Sequence, residues 1–151
     1  MCGGVTYQQA EETIRTFFPN PKSCLPVRNK RGQVLLIPWG RREKQPGFTP
    51  LGGWARLESI YSGKWSNYNP RPVKIIIDGF MEKDQLGNSQ WYSLGKDEFI
   101  QGLLVEDAGI TRVYVVTVTD PQSQHKSARW PRILKHQEKT LTESSSTHSF
   151  E

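Results

Sequence analysis

Short runs of apolar residues separated by Gly, Pro and charged residues pattern this chain, and most of the runs read as strands. Residues 112–119, RVYVVTVT, carry the strongest β signal, with β-branched and aromatic side chains throughout. Residues 73–77, VKIII, predict a strand ending at Asp78-Gly79, and QWYSL predicts another after the DQLGNS turn. A further strand is expected over residues 98–105, EFIQGLLV, and a buried one over residues 33–39, QVLLIPW. Residues 8–18, QQAEETIRTFF, place Ala10, Ile14, Phe17 and Phe18 on one helical face after early acidic residues. That spacing predicts a short amphipathic helix stopped by Pro19 and Pro21. Residues 40–53, GRREKQPGFTPLGG, form a long basic loop of the kind often kept for function. No regular βαβ alternation and no internal repeat is visible, so the expected class is α+β, mostly antiparallel β with few short helices.

Composition narrows the class. The chain has 151 residues, the size of one ordinary domain. Its 11% aromatic content, with five Trp, argues against disorder. The mean hydropathy of −0.63 and the lack of any run near the ~18 apolar residues of a membrane helix exclude a membrane-spanning chain on this reading. With no signal-like opening segment, a cytoplasmic protein is expected, nucleoid-associated in a bacterium. Twenty Lys and Arg oppose fifteen Asp and Glu, a net charge of +5. The last sixteen residues, HQEKTLTESSSTHSFE, carry a net −2, which leaves residues 1–135 at +7. The expected organisation is a domain over 1–135 and a polar, flexible tail over 136–151. The excess positive charge fits a polyanionic partner, nucleic acid first, or a basic but unspecialised surface.

Three features carry chemistry. Cys2 becomes the N-terminal residue if Met1 is removed, which offers an α-amine and a thiol on adjacent carbons. The amine titrates near ~7.7–8.0, so much of it is neutral close to pH 7 and forms Schiff bases with aldehydes. The thiol then closes a thiazolidine ring. The alternative is that a cysteine stands at position 2 by accident. Glu82, in IIIDGFMEKD, sits past a strand and turn where a carboxylate can face a cleft as general acid or base; the alternative is a surface glutamate in a charged hairpin. Third, cations interleave with indoles: Trp39 precedes Arg41 and Arg42, Trp54 precedes Arg56, and Arg129 abuts Trp130. Guanidinium groups on phosphates and indole faces under bases suit single-stranded nucleic acid, whereas the alternative puts the Trp side chains in the core and the Arg side chains in solvent. Two cysteines and three histidines assemble no zinc spacing, and no cofactor or metal is expected.

In order along the chain, these pieces resemble the SOS-response-associated peptidase (SRAP) family. Its opening Met-Cys-Gly-Arg is similar to Met1-Cys2-Gly3-Gly4, and a Trp-Gly pair in its basic loop to Trp39-Gly40. Its Asn-Ala-Arg-x-Glu-Thr stretch resembles Trp54-Ala55-Arg56-Leu57-Glu58-Ser59. Its Pro-Ala-Asp-Gly-Phe-Tyr-Glu-Trp motif resembles Ile76-Ile77-Asp78-Gly79-Phe80-Met81-Glu82-Lys83. Its His-x-Arg-Met-Pro-x-Ile-Leu ending resembles Ser127-Ala128-Arg129-Trp130-Pro131-Arg132-Ile133-Leu134. The resemblance implies a barrel-like mixed β fold around a basic cleft and a monomeric protein acting on single-stranded DNA. It also implies loss of Met1 by the protein's own action and covalent capture of abasic-site aldehydes by Cys2. Glu82 would then be the acid/base partner, and Arg56 and Arg129 would hold phosphates.

The departures are specific. Trp54 stands where the family has an active-site Asn, Ser127 where it has a His, and Gly4 where it has an early Arg. His125 lies two residues before Ser127 and is the candidate replacement, or else an exposed loop histidine. Two functions therefore compete: a covalent abasic-site sensor, and a diverged non-covalent single-strand-binding module. A general thiol peptidase is the weakest option, because no second His/Asn pair accompanies the cysteine.

Overall fold

Strand formation follows the β-branched runs. The computed structural model describes residues 2–120 and 128–136. Among them the strands are β1 (Gly4–Gln9), β2 (Glu12–Phe17), β3 (Cys24–Arg28), β4 (Val34–Pro38), β5 (Trp54–Arg56) and β6 (Arg71–Ile75). They continue as β7 (Gly79–Lys83), β8 (Ser89–Ser93), β9 (Glu98–Asp107), β10 (Ile110–Thr119), β11 (Arg129–Pro131) and β12 (Ile133–Lys135). One short helix, α1 (Leu57–Tyr61), and a 3-10 turn at Ser66–Tyr68 complete the described elements. The predicted strands around VKIII, QWYSL, EFIQGLLV and RVYVVTVT are β6, β8, β9 and β10.

Two sheets result. The smaller runs β2-β1-β7-β8, and the larger runs β11-β10-β9-β6-β3-β4, with β12 on β9 and β5 parallel to β10. Every named pairing except β5 with β10 is antiparallel. The larger sheet bends until Trp39, just past β4, bridges Val113 of β10, yet among the described residues it does not close into a full barrel. Its concave side and the smaller sheet share one core, with Val5, Leu25, Trp39, Ile75, Phe80, Ile100, Val113 and Val115. A second cluster on the other side of β9 and β10 packs Leu103, Val105, Tyr114 and Val116 under Trp65, with Leu57 and Ile60 of α1 against it.

Two expectations are corrected. Residues 8–18 are not a helix: they span the β1–β2 hairpin, which turns at Ala10-Glu11 with Ala10 at φ 54°. The helical spacing joins a turn residue, Ala10, to residues in and just past β2. Within β2 the true period is 2: Ile14 packs against the core while Thr13, Arg15 and Phe17 are exposed. The β-branched Thr13, Ile14 and Thr16 favour that extended form. Residues 33–39 do contain a strand, β4, but it is the sheet's edge. Val34, Leu35 and Leu36 remain 49%, 50% and 42% exposed. A compact apolar run does not distinguish a central strand from an edge.

The loop 40–53 is fixed by charge. Asp107 and Arg112 flank the β9–β10 turn, and their side chains pair at 3.1 Å while almost wholly buried. Asp107 also accepts hydrogen bonds from the backbone N–H groups of Phe48 (2.6 Å) and Thr49 (3.3 Å) and from the Thr49 hydroxyl (2.7 Å). Arg112 donates to the carbonyls of Gly40 and Pro46, and Tyr114 to those of Pro50 and to the Thr49 hydroxyl. Gly47, at φ 129°, is required here because a Cβ would fall 2.0 Å from the Asp107 carboxylate.

Burial alone would raise the Asp107 pKa, but the bonds from Phe48, Thr49 and Arg112 outweigh it and hold the carboxyl below its ordinary 3.8. The depressed value means that its contribution to stability is present above the unfolded pKa and is lost as pH falls through the folded one. Asp107→Ala strands the Arg112 charge and is expected to cost about 3–5 kcal/mol in urea unfolding at neutral pH. The variant's stability is also expected to fall less steeply than wild type below about pH 4. An equal acid slope in both proteins would refute the assignment.

Candidate functional site at Cys2 and Glu82

The segment leading into β1 threads between two neighbours. Gly3 N–H donates to Met81 O at 3.0 Å, and Phe18 N–H donates to Gly3 O at 3.1 Å. This places Cys2 inside the core at 0% exposure, with its thiol 3.6 Å from Gly4 O. The Trp54 indole N–H donates to Cys2 O at 2.7 Å and so holds the cysteine's backbone. Trp54 is itself held by Phe18 and Trp39, at ring separations of 4.8 and 6.3 Å.

Glu82, on β7, is 6% exposed. Burial pushes its carboxyl above the usual range, and the Asp120 charge adds to the rise. Burial likewise pushes the Cys2 thiol far up, and the Glu82 charge adds to it. Electrostatic coupling therefore links Cys2 to Glu82 and Glu82 to Asp120. Asp120 closes β10, and its N–H donates to Ala128 O at 3.0 Å. His125 and Ser127 fall in 121–127, outside the described residues, as do Met1 and residues 137–151 of the expected tail. His136, the tail's first residue, lies against Phe99 at 4.8 Å.

Most of the basic and aromatic candidates serve the fold. Trp39 is completely buried and donates its indole N–H to Gly53 O at 3.0 Å, so it has no face to offer a base. Arg41 staples the loop through Gln45 O and Thr49 O. Arg42 binds Phe18 O, Trp39 O and Ser23 Oγ, and its guanidinium lies 3.9 Å from the Phe18 ring centre. Arg129 is 7% exposed; it grips both oxygens of Glu58 at 2.9 Å and donates to Thr117 O. Trp130 packs edge-on against Phe80 and Tyr92. Arg56, preceding α1, is exposed. These side chains reach backbone carbonyls brought near by tertiary structure, which local sequence does not reveal. Phe18, expected only as part of a helical face, and Asp120 were not among the candidate site residues; the Phe-Pro step after β2 and the lone Asp just past the strongest strand were their only signals.

Among the described residues no group of His, Cys, Asp and Glu is arranged to hold a metal ion, and no helix is long and apolar enough to cross a membrane. The second cysteine, Cys24, is half-buried beside a hollow of about 360 Å³ lined by Pro21, Pro38, Pro46 and Ile110. Compared with known protein families, curated proteins and solved structures, the chain matches none.

A buried thiol held protonated reacts slowly with disulfide reagents. With Cys24→Ser, the sole remaining thiol is expected to label with Ellman's reagent at least about tenfold slower in native than in urea-unfolded protein. Adding Trp54→Phe removes the bond to Cys2 O, about 1 kcal/mol net, and is expected to speed native labelling about fivefold. Native labelling as fast as unfolded would contradict the closed site.

Proposed function

We propose that the chain is an SRAP-type sensor of single-stranded DNA whose Cys2, freed by hydrolysis of the Met1–Cys2 bond, captures abasic-site aldehydes. The observation that carries this reading is the burial of Glu82 in electrostatic range of a buried Cys2. An enclosed carboxyl is costly for packing alone, and a perturbed carboxyl coupled to a neighbouring thiol makes a candidate reactive site. Five short stretches that resemble SRAP motifs, in the same order, support the same chemistry.

The steps balance without a cofactor. The α-amine of Cys2 adds to the aldehyde carbon, and the resulting hydroxyl leaves as water to give an imine. The thiol sulfur then adds to the imine carbon, and its proton ends on the ring nitrogen. One water is released and nothing is oxidised. Glu82, biased toward its protonated form by burial, donates to the departing hydroxyl and accepts the thiol proton in the second step.

The test is a denaturing gel of protein incubated with single-stranded DNA carrying one abasic site. Wild type is expected to give a shifted band and Cys2→Ala none. Glu82→Gln is expected to slow the reaction by about 10²–10⁴-fold. Intact mass is expected to show loss of one methionine. A second reading, a non-covalent single-strand-binding module, is favoured by the full enclosure of the Cys2 thiol and by Trp54 in place of the family Asn. It predicts retained Met1, no shifted band, and affinity that falls steeply with salt.

A further inference from the structure

The smaller sheet has an outer face that none of the candidate residues occupies. Val5 and Phe80 point from it into the core, and the register sends the row Phe17–Gly4–Met81–Trp91 to the opposite side. Gly4 leaves room for the Phe17 ring, which lies where a Cβ would sit, at 2.7 Å. Phe17 and Trp91 lean toward each other over the two central strands, with ring centres 6.1 Å apart, and Met81 is buried at 8% exposure. Both aromatic side chains remain open, at 39% and 40% exposure, whereas Trp39 and Trp65 are buried.

The same face carries cations. Arg15 places its guanidinium 4.8 Å from the Trp91 ring centre, and Lys83 follows Met81 by two residues on its strand. By register, no Asp or Glu occupies a strand position on this face. The Asp78 carboxylate reaches the far end of the face, 3.1 Å from Gln8 Nε2, but the rings themselves are bordered by cations, which suits stacked bases with phosphates beside them and suits an apolar protein partner poorly. Gly4 also lies only two residues, about 7 Å of strand, from Cys2.

We infer that Phe17, Trp91, Arg15 and Lys83 form a stacking platform for single-stranded nucleic acid, with a base against Trp91 and phosphates toward Arg15 and Lys83. This rests on the single-strand reading above and supplies the exposed aromatic surface that Trp39 does not. The strand is held on the platform by stacking and charge, and no bond forms or breaks there.

The test measures anisotropy of a labelled oligo-dT that contains no abasic site, alongside crosslinking to an abasic oligonucleotide. Trp91→Leu keeps apolar bulk and removes the stacking ring; it is expected to weaken oligo-dT binding by about 5- to 100-fold. Crosslinking by this variant at saturating DNA is expected to stay within about twofold of wild type, because Cys2 and Glu82 are untouched. Arg15→Gln, an exposed change that cannot collapse the core, is expected to reduce the slope of log affinity against log salt by about 0.7. Unchanged melting curves separate lost stacking from lost folding. If both variants bind oligo-dT as wild type does, the platform is overturned while the crosslinking chemistry stands. If wild type neither binds oligo-dT nor crosslinks, the platform and the single-strand reading fall together.

Discussion

The buried ion pair between Asp107 and Arg112 holds a chain of contacts that ends at Cys2. Removing two charges from water costs several kcal/mol each, and their attraction offsets this only where further hydrogen bonds satisfy the remaining atoms. Here Asp107 meets Phe48 and Thr49, and Arg112 meets Gly40 and Pro46, so the pair fixes the loop that follows Trp39. The far end of that loop is Gly53, whose carbonyl accepts from both the Trp39 indole and Val115 N–H. Trp54 comes next, and its indole binds the Cys2 carbonyl. A pair at the β9–β10 turn therefore sets the position of a cysteine distant from it in sequence. The turn itself is tight, with Ala108 and Gly109 at φ 52° and 86°, the backbone of a two-residue hairpin that brings Asp107 opposite Ile110.

Legibility in the sequence depended on whether a signal was local. Strands β9 and β10 were readable because branched and aromatic side chains fill them on both faces, as burial from both sides demands. Cys2 and Glu82 could be singled out because each is bound to a chain landmark, one to the N-terminus and one to a strand-turn-strand motif, whereas their common burial had no local signal. Residues 8–18 misled because Ala10, Ile14, Phe17 and Phe18 satisfy a helical period while the hairpin turn at Ala10-Glu11 bears no Gly or Asn. The turn instead takes the αL conformation at an alanine, which single-sequence propensity argues against.

Charge counting had a similar limit. The basic excess suggested a groove, but Arg42, Arg112 and Arg129 are committed to carbonyls and carboxylates inside the protein. Each guanidinium offers five donors in a fixed fork, so arginines that sew loops to sheets are drawn from the same pool that a net-charge argument assigns to a polyanion. What remains for a partner is carried by exposed side chains such as Arg15, Arg56 and Lys83. The aromatic content divides in the same way, with Trp39 in the core and Trp91 open on the smaller sheet.

Enclosure of the Cys2 thiol bears on selectivity as well as on rate. Thiolates react with oxidants and with most electrophiles, so a cysteine kept protonated by burial and by the Glu82 charge is protected from both. Aldehyde capture by an N-terminal cysteine begins at the amine, and its first step needs no thiolate. In the proposed reaction the sulfur is required only after the imine has placed an electrophilic carbon beside it, and the proton then passes to Glu82. A site built in this way discriminates by order of events: an electrophile that does not first engage the amine meets a protonated thiol. The burial that slows general thiol chemistry is thus compatible with the proposed reaction, provided that the segment carrying Cys2 admits the aldehyde. Of the groups that hold this segment, Trp54 contributes one side-chain hydrogen bond to a backbone carbonyl, a restraint of about 1 kcal/mol.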